Sequence, residues 1–596
     1  MSSKWIDKRD QLFLLYEILN IDNELLGKPP FQNHDAEIVN GIIDKACILA
    51  KTEMASIYYD KPNSKLVEAA WSDGKAFMLE DYQRIWKHFR DGSWLSIEVD
   101  SEQGGQGFPN VVAAACNNIL LSCNPHVMMT AIMTKCVAKL IEKFGTDQLK
   151  SVYMKGLYRG YWTGRVFYAK EGHGPDYVAL KAAAMNNHDG TYSILGTKRI
   201  TSYIDHNPTD NIIYVIMAMI EGGSSGKEST SVFLVPKYLI NPDCSLGDFN
   251  NVITTDKMSP CGYPISTIQF GDTGKCVGYL LRREYESENI VNYLMKEMRL
   301  SLGMSAVSIA GATYLRVLDY ARNMDKSKIK SIYVESAVPI INHYNVRKML
   351  LNQKSMVEGA RLLCLYYCFA IDKMKVSNTV SENIHWAQIV DLLSPIVRTY
   401  CPTINLEVNN LAMHLYGCYA DYRYCNAKQM TSDQLKNNLC EWTTDILDFA
   451  EMCDVLKGQY FIHIAKEAMK MISEAKDIHI LNAEANIVER SLSAINMTAM
   501  YFSELTYTKP YILHISVSDY LNCVGETLCG WLHIMLAKEA IKGLSSAVNE
   551  SERMYYWGII EGAKYFINRL TALVPARCEI FRKEEISAVR IPDKAF

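Results

Sequence analysis

Near Tyr161 the hydrophobic repeat of this chain changes from helical to strand spacing, and near Ser287 it changes back. Before the change, DAEIVNGIIDKACILAKTEM, EDYQRIWKHFRDG and HVMMTAIMTKCVAKLIEKFG place apolar residues three and four apart, the spacing of one helix face. Gly145 after Phe144 reads as a helix stop, and SEQGGQGFPN reads as a glycine-rich turn closed by Pro109. Between the two changes, GTYSILGTKRITSYI, NIIYVIMAMI, TSVFLVPKYLI and ISTIQFGD are short β-rich runs separated by Gly, Asn, Asp and Pro. After Ser287 come long helical patterns, two of which suit antiparallel neighbours in a bundle. A chain of 596 residues exceeds one core. The order of periods divides it into an N-terminal helical domain over 1–160, a strand domain over 161–285, a helical bundle over 286–458 and a further helical domain over 459–596. The fold class is therefore mainly α with a central β domain.

Charged residues make up 21% and are interspersed, with a formal net charge of −4. No basic stripe points to nucleic acid or an anionic membrane surface. The N-terminus lacks the basic, apolar and small-residue pattern of a secretory signal. The apolar run from Leu300 to Leu315 is too short to span a bilayer and reads as a buried helix. The seventeen cysteines include no CxxC pair. Cys364 and Cys368 lie one helical turn apart, but no His or second pair completes a metal set, so buried free thiols and a reducing, cytoplasmic setting are expected.

No GxGxxG, HExxH or GxSxG motif occurs. EGGSSGKES approaches a phosphate loop but has Glu221 at the first glycine position and Glu228 after Lys227, which leaves a hairpin loop. His173 in KEGHGPD could act as a general base, whereas His414 on an apolar helix reads as a hydrogen-bonded core histidine. In NNLCEWTTDILDFAEM, Glu441 precedes a helix with Ile446, Phe449, Cys453 and Leu456 on one face. By itself Glu441 is either an acid near the positive end of that helix or a base at the mouth of a site.

Several stretches, in order and at specific spacing, resemble the acyl-CoA dehydrogenase superfamily, and most of all the long bacterial branch that includes 3-methylmercaptopropionyl-CoA dehydrogenases. They are SEQGGQGFPN, DGTYSILGTKRITS, VFLVPKYLINPDCSLGDFNNV, MRLSLGM, PIINHYNVRKMLL and LCGWLHIMLAKEA. The resemblance implies a middle β-barrel between an N-terminal helical domain and a C-terminal helical bundle, with an extra C-terminal helical domain. It implies FAD at the junction and oxidation of an acyl-CoA thioester to the 2,3-enoyl-CoA. It also implies a homodimer and an electron-transferring flavoprotein as electron acceptor. The family's catalytic base is a Glu in a Y-E-G-T segment beyond a Q-x-x-G-G motif. With His414–Cys418 in the place of the second motif, an ungapped count brings Cys440-Glu441-Trp442-Thr443 into register, so the resemblance implies Glu441 as the α-proton base.

By the same resemblance, Tyr168, Ala169, Gly174, Ser202 and Thr443 stand at cofactor positions, and Pro175, Arg299 and Trp442 at substrate positions. Several depart from the family pattern. Ala169 replaces a Thr, Pro175 replaces a Ser and lacks an N–H, Ile200 replaces an aromatic residue, Met324 falls near a family Arg, and Cys418 replaces a Gly. Trp442 replaces the glycine that lets the backbone approach flavin and thioester. These losses remove hydrogen bonds worth about 1 kcal/mol each. The alternative they support is a catalytically inactive pseudoenzyme with an acyl-CoA-binding or protein-interaction role.

Overall fold

The computed structural model describes residues 5–59, 71–72, 75–76, 80–167, 182–201, 209–221, 230–241, 243, 245–257, 265–272, 274–283, 287–323, 339–417, 430, 460–583 and 585–596. The N-terminal block is helical. Its elements are α1 (Lys8–Leu12), α2 (Ala36–Leu49), α3 (Glu80–Asp91), α4 (Asn110–Cys123) and α5 (Pro125–Phe144). Asn124 separates the last two and caps α5 by accepting from the Val127 N–H, with Pro125 in the first turn, where a missing N–H costs nothing. The α5 helix ends at Phe144 as read, because a Cβ at Gly145 would stand 2.5 Å from the Ile141 carbonyl oxygen.

Ten strands follow. They are β1 (Trp162–Phe167), β2 (Ala183–Asn186), β3 (Tyr192–Thr201), β4 (Asn211–Ile220), β5 (Thr230–Pro236), β6 (Tyr238–Ile240), β7 (Leu246–Phe249), β8 (Val252–Lys257), β9 (Ile265–Phe270) and β10 (Val277–Leu280). The main sheet runs β8-β9-β3-β10-β5-β4-β1, and β2 pairs with both β3 and β4. The path β3-β10-β5-β4-β2 therefore closes on itself, which removes those edges and makes the barrel. β4 is buried almost throughout. Its Ile212, Tyr214, Ile216 and Ala218 fill the barrel, while Ile213, Val215 and Met217 join the helical core outside. The glycine-rich segment 222–229 lies outside the described residues, but β4 and β5 on either side pair antiparallel, Met219 opposite Thr230, as a hairpin requires.

The chain returns to helix at α6 (Ser287–Asn323), α7 (Tyr344–Val376) and α8 (Val380–Tyr416). Only residues 377–379 join α7 to α8, so the two run antiparallel, and Thr379 caps α8 by accepting from the Glu382 N–H. The helix around Leu300–Leu315 is longer than its apolar run. Asn289–Asn323 has the length and composition to cross a membrane, but 78% of its most apolar window is packed inside the protein. The C-terminal block is α9 (Tyr460–Lys476), α10 (Asn482–Leu505), α11 (Pro510–Ser546), α12 (Glu550–Arg569) and α13 (Val574–Arg582). Glycines let α11 approach its neighbours. A Cβ at Gly525 would meet the Tyr400 ring at 2.4 Å, and one at Gly543 the Tyr556 ring at 2.3 Å. One hydrophobic core runs through the N-terminal helices, the bundle and the C-terminal helices, while the barrel interior keeps its own.

Cys364 and Cys368 are buried free thiols as expected, and the Cys364 Sγ stands 3.7 Å from that of Cys401. His414 is exposed, not a core residue. In the last turn of α8 the buried positions are Ala412 and Tyr416, and His414 points between them to the outside.

Candidate functional site

The described residues line a partly open cavity of about 60 Å³ between the N-terminal helices and the bundle, with walls from α4, α5, α6 and α7. Most of its wall is apolar, including Ile132, Leu300 and Met304, but a band of charge crosses it. The SEQGGQGFPN turn positions the first charge. Gly104 and Gly107 have φ of 87° and 67°, which glycine adopts without cost. A Cβ on Gly105 would lie 2.0 Å from the Val99 carbonyl oxygen. The returning chain donates from Gln106, Gly107 and Phe108 to the carbonyls of Ser96, Val99 and Ile97. Glu98 is held within that clamp and turned towards α5.

Lys135 Nζ donates to both Glu98 oxygens at 2.9 and 3.1 Å. One turn further along α5, Lys139 Nζ donates to Glu297 of α6 at 2.7 Å and lies 3.8 Å from Glu98. Burial alone would raise the Glu98 carboxyl, but Lys135 and Lys139 outweigh it and hold it at about 2. Burial would lower the Lys139 ammonium, and Glu297 and Glu98 raise it above its ordinary value instead. Two cations and two anions thus form a neutral, ionised row on the cavity wall. Asn117 of α4 lines the same cavity, and its side chain makes no hydrogen bond among the described residues.

Two joints hold these walls. Asp372 of α7, fully buried, accepts from the Asn110 N–H and Nδ2 at 2.8 and 2.7 Å and from the Val111 N–H at 2.8 Å. It therefore satisfies the orphan donors at the start of α4 with a residue from the bundle. On the barrel side, the Gly164 N–H of β1 donates to Thr134 of α5 at 3.1 Å, and a Cβ at Gly164 would meet Val137 at 2.6 Å.

Of the residues singled out from sequence, Arg299 lies among the described ones. It is 2% exposed on α6. Glu297, Leu300, Ser301 and Met304 face the cavity, whereas Arg299 shares its helix face with Gly303, which packs on Val397 of α8. Tyr168, Ala169, His173, Gly174, Pro175, Ser202, Met324, Cys418, Glu441, Trp442 and Thr443 lie outside the described residues. Their neighbours fix where the chain leaves the barrel. β1 and β2 lie along the same side of β4, Phe167 opposite Ile216 and Ala183 opposite Met219, so the segment carrying Tyr168 to Pro175 leaves and rejoins the sheet at one seam. The segment beginning at Ser202 leaves from the end of β3, where Thr201 pairs with Ile265.

Sequence reasoning missed Glu98, Asn117, Lys135, Lys139 and Glu297. A signal was present for the lysines, since two cations one turn apart interrupt an otherwise apolar helix in HVMMTAIMTKCVAKLIEKFG. Among the described residues no three His, Cys, Asp or Glu converge as a metal site.

Residues 60–161 match the model of the acyl-CoA dehydrogenase N-terminal domain, and residues 461–592 match that of the acetyl-CoA dehydrogenase C-terminal-like domain. The chain is 27% identical over 349 residues to 3-methylmercaptopropionyl-CoA dehydrogenase of Ruegeria pomeroyi, a match spanning 59% of each chain. It is 23% identical to the broad-specificity linear acyl-CoA dehydrogenase FadE5 of Mycobacterium tuberculosis over 99% of both chains. Its fold superposes on Caenorhabditis elegans ACDH-11 in complex with C11-CoA with a TM-score of 0.69 at 12% identity, covering 99% of this chain and 95% of the other. It superposes equally, at 0.69 and 15% identity, on a Bacillus anthracis acyl-CoA dehydrogenase complexed with FAD, covering 96% and 91%.

Proposed function

We propose that the chain is a member of the acyl-CoA dehydrogenase superfamily, a reading supported by its two matched domains and its similarity to FadE5, and that it is an FAD-dependent dehydrogenase that oxidises an acyl-CoA thioester to the 2,3-enoyl-CoA. The observation that carries this reading is the cavity between α5 and α6, beside a closed barrel whose β1 ends at Phe167 and whose β3 ends at Thr201.

FAD, when bound, supplies the hydride acceptor for the substrate's β-carbon. The donor set suits a flavin dinucleotide. Ser202 and Thr443 offer hydroxyls, and Tyr168, Ala169 and Gly174 offer main-chain N–H groups that do not depend on side-chain identity. Glu441 takes the α-proton, which is weakly acidic beside a thioester carbonyl, and an apolar, dehydrated setting raises a carboxyl towards that task. Pro175 and Trp442 flank the thioester, Arg299 does not, since it lies on the α8 side of α6, and Ile132, Leu300 and Met304 line the path of the acyl chain and exclude water from it. An electron-transferring flavoprotein takes the electrons onward, and the chain works as a homodimer.

A second reading rests on Trp442, Ala169 and Pro175, which stand where the family has Gly, Thr and Ser. In it the scaffold binds acyl-CoA without flavin and performs no oxidation. Purification separates the two readings. A dehydrogenase is yellow and is bleached anaerobically by acyl-CoA. Protein that is colourless, resists reconstitution with FAD and still binds acyl-CoA belongs to the second reading.

A further inference from the structure

We propose that the row Glu98–Lys135–Lys139–Glu297, together with Asn117, is a tail-reading subsite that selects acyl-CoA substrates whose far end carries an uncharged hydrogen-bonding oxygen, a hydroxyl or a carbonyl, over plain hydrocarbon chains. This rests on the preceding assignment of the cavity to the acyl chain.

The first ground is the composition of the wall. A pocket for a hydrocarbon tail gains from apolar lining throughout, because buried polar groups without partners cost free energy. Here two ammonium groups and two carboxylates face the same cavity as Ile132, Leu300 and Met304. Their side chains are only 8–26% exposed. The second ground is unspent hydrogen-bonding capacity. An ammonium carries three donors. Lys139 donates to Glu297 at 2.7 Å and stands beyond hydrogen-bond distance from Glu98 at 3.8 Å, which leaves an N–H for a ligand. Asn117 adds a donor and an acceptor with no partner among the described residues. A hydrocarbon end would strip water from these groups and return nothing, whereas an oxygen can accept from Lys139 or exchange a hydrogen bond with Asn117.

Charge and size narrow the class. The row sums to zero, so a neutral tail leaves it balanced, while a carboxylate tail would bring a third anion beside Glu98 and Glu297. A cavity of about 60 Å³ holds a few water-sized groups, enough for the last few non-hydrogen atoms of a tail.

The test measures binding by isothermal titration calorimetry on the purified full-length chain. The probes are saturated acyl-CoAs, their ω-hydroxy counterparts of equal length and the matching ω-carboxy compounds. The wild type is expected to bind the best ω-hydroxy compound at least about tenfold more tightly than its saturated partner, the gain of one hydrogen bond to a charged donor. The ω-carboxy compound is expected to bind more weakly than the ω-hydroxy one. Asn117→Leu is expected to reduce or reverse the hydroxy preference, weakening ω-hydroxy binding while saturated acyl-CoA binds at least as tightly as to the wild type. It is chosen because removing a lysine would strand a buried carboxylate and could unfold the chain. A parallel Lys139→Arg variant, which keeps the charge and the donors, is expected to keep part of the preference. Saturated chains binding as tightly as, or more tightly than, the hydroxy compounds in the wild type would overturn the subsite and leave the dehydrogenase assignment intact. So would a preference for the ω-carboxy series, or a preference unaffected by Asn117→Leu. A chain that binds no CoA thioester of any kind would overturn the assignment on which the subsite rests.

Discussion

Replacing Asp372 with Ala should loosen the joint between the bundle and the N-terminal helices. The side chain is fully buried and accepts three hydrogen bonds, two of them from the first N–H groups of α4. Leaving two buried main-chain donors unsatisfied costs about 1–3 kcal/mol each, so a loss near ~3 kcal/mol is expected at neutral pH. The loss also depends on pH, with a sign fixed by the carboxyl. Burial raises it from 3.8 to about 6, and the three donors only partly oppose that. The folded state therefore holds this proton more tightly than the unfolded chain. Wild type gains stability from the group as pH falls from about 6 to about 4, and the gain is lost as pH rises back through 6. The difference corresponds to roughly 3 kcal/mol. The Ala variant lacks the group, so its deficit should widen by that amount between neutral pH and pH about 4. Urea unfolding of both proteins across this range gives the difference, and hydrogen exchange over residues 105–123 shows whether the loss begins at α4. A deficit below about 1 kcal/mol at neutral pH, or one that shrinks on acidification, would refute the reasoning.

Three further outcomes follow from the same packing. His533 Nε2–H donates to the Ser355 carbonyl at 3.0 Å, and burial lowers its pKa from 6.5 to about 3, so it is neutral in the fold. The unfolded chain takes up this proton first, and stability from the neutral ring is lost as pH falls from about 6.5 towards 3. His533→Asn should flatten the acid side of the stability profile relative to wild type, and an unchanged slope in urea titrations would count against the assignment. Gly164→Ala forces a methyl group against Val137 and should cost about 1–3 kcal/mol, read as faster hydrogen exchange in both β1 and α5. Exchange that rises in neither element would mean the contact is slack. Protonating Glu98 breaks its ion pairs with Lys135 and Lys139, so stability from this row should be present above about 4.5 and lost as pH falls towards about 2. Glu98→Gln should remove that dependence, measured as the difference between the two unfolding profiles.

The fold was legible because period changes are coarse signals. A helical repeat in HVMMTAIMTKCVAKLIEKFG and fully apolar runs such as NIIYVIMAMI survive any detail of packing, and the structure has a helix and a strand at those places. Closure of the barrel was not in the residues themselves. It depends on β2 pairing with both β3 and β4, a long-range register that only the resemblance supplied. His414 was misread because an apolar helix still has an outer side, and the side is set by neighbours far away in sequence. The charge row was hidden for the same reason. Glu98, Lys135 and Glu297 are separated by 37 residues and more, and an ion pair across that distance leaves no local spacing to read. The glycines of SEQGGQGFPN were legible as a turn, but that the turn aims Glu98 emerges only from the clamp it makes on residues 96–99.

The central claim is that Glu441 removes the α-proton in a chain that holds FAD. Anaerobic titration of the purified chain and of Glu441→Gln with saturated and ω-hydroxy acyl-CoA tests it directly. About one FAD per chain is expected in both proteins, with flavin bleaching in wild type and unbleached but still flavin-loaded Glu441→Gln. Bleaching that survives the substitution, or a wild-type chain that takes up no FAD, would contradict it.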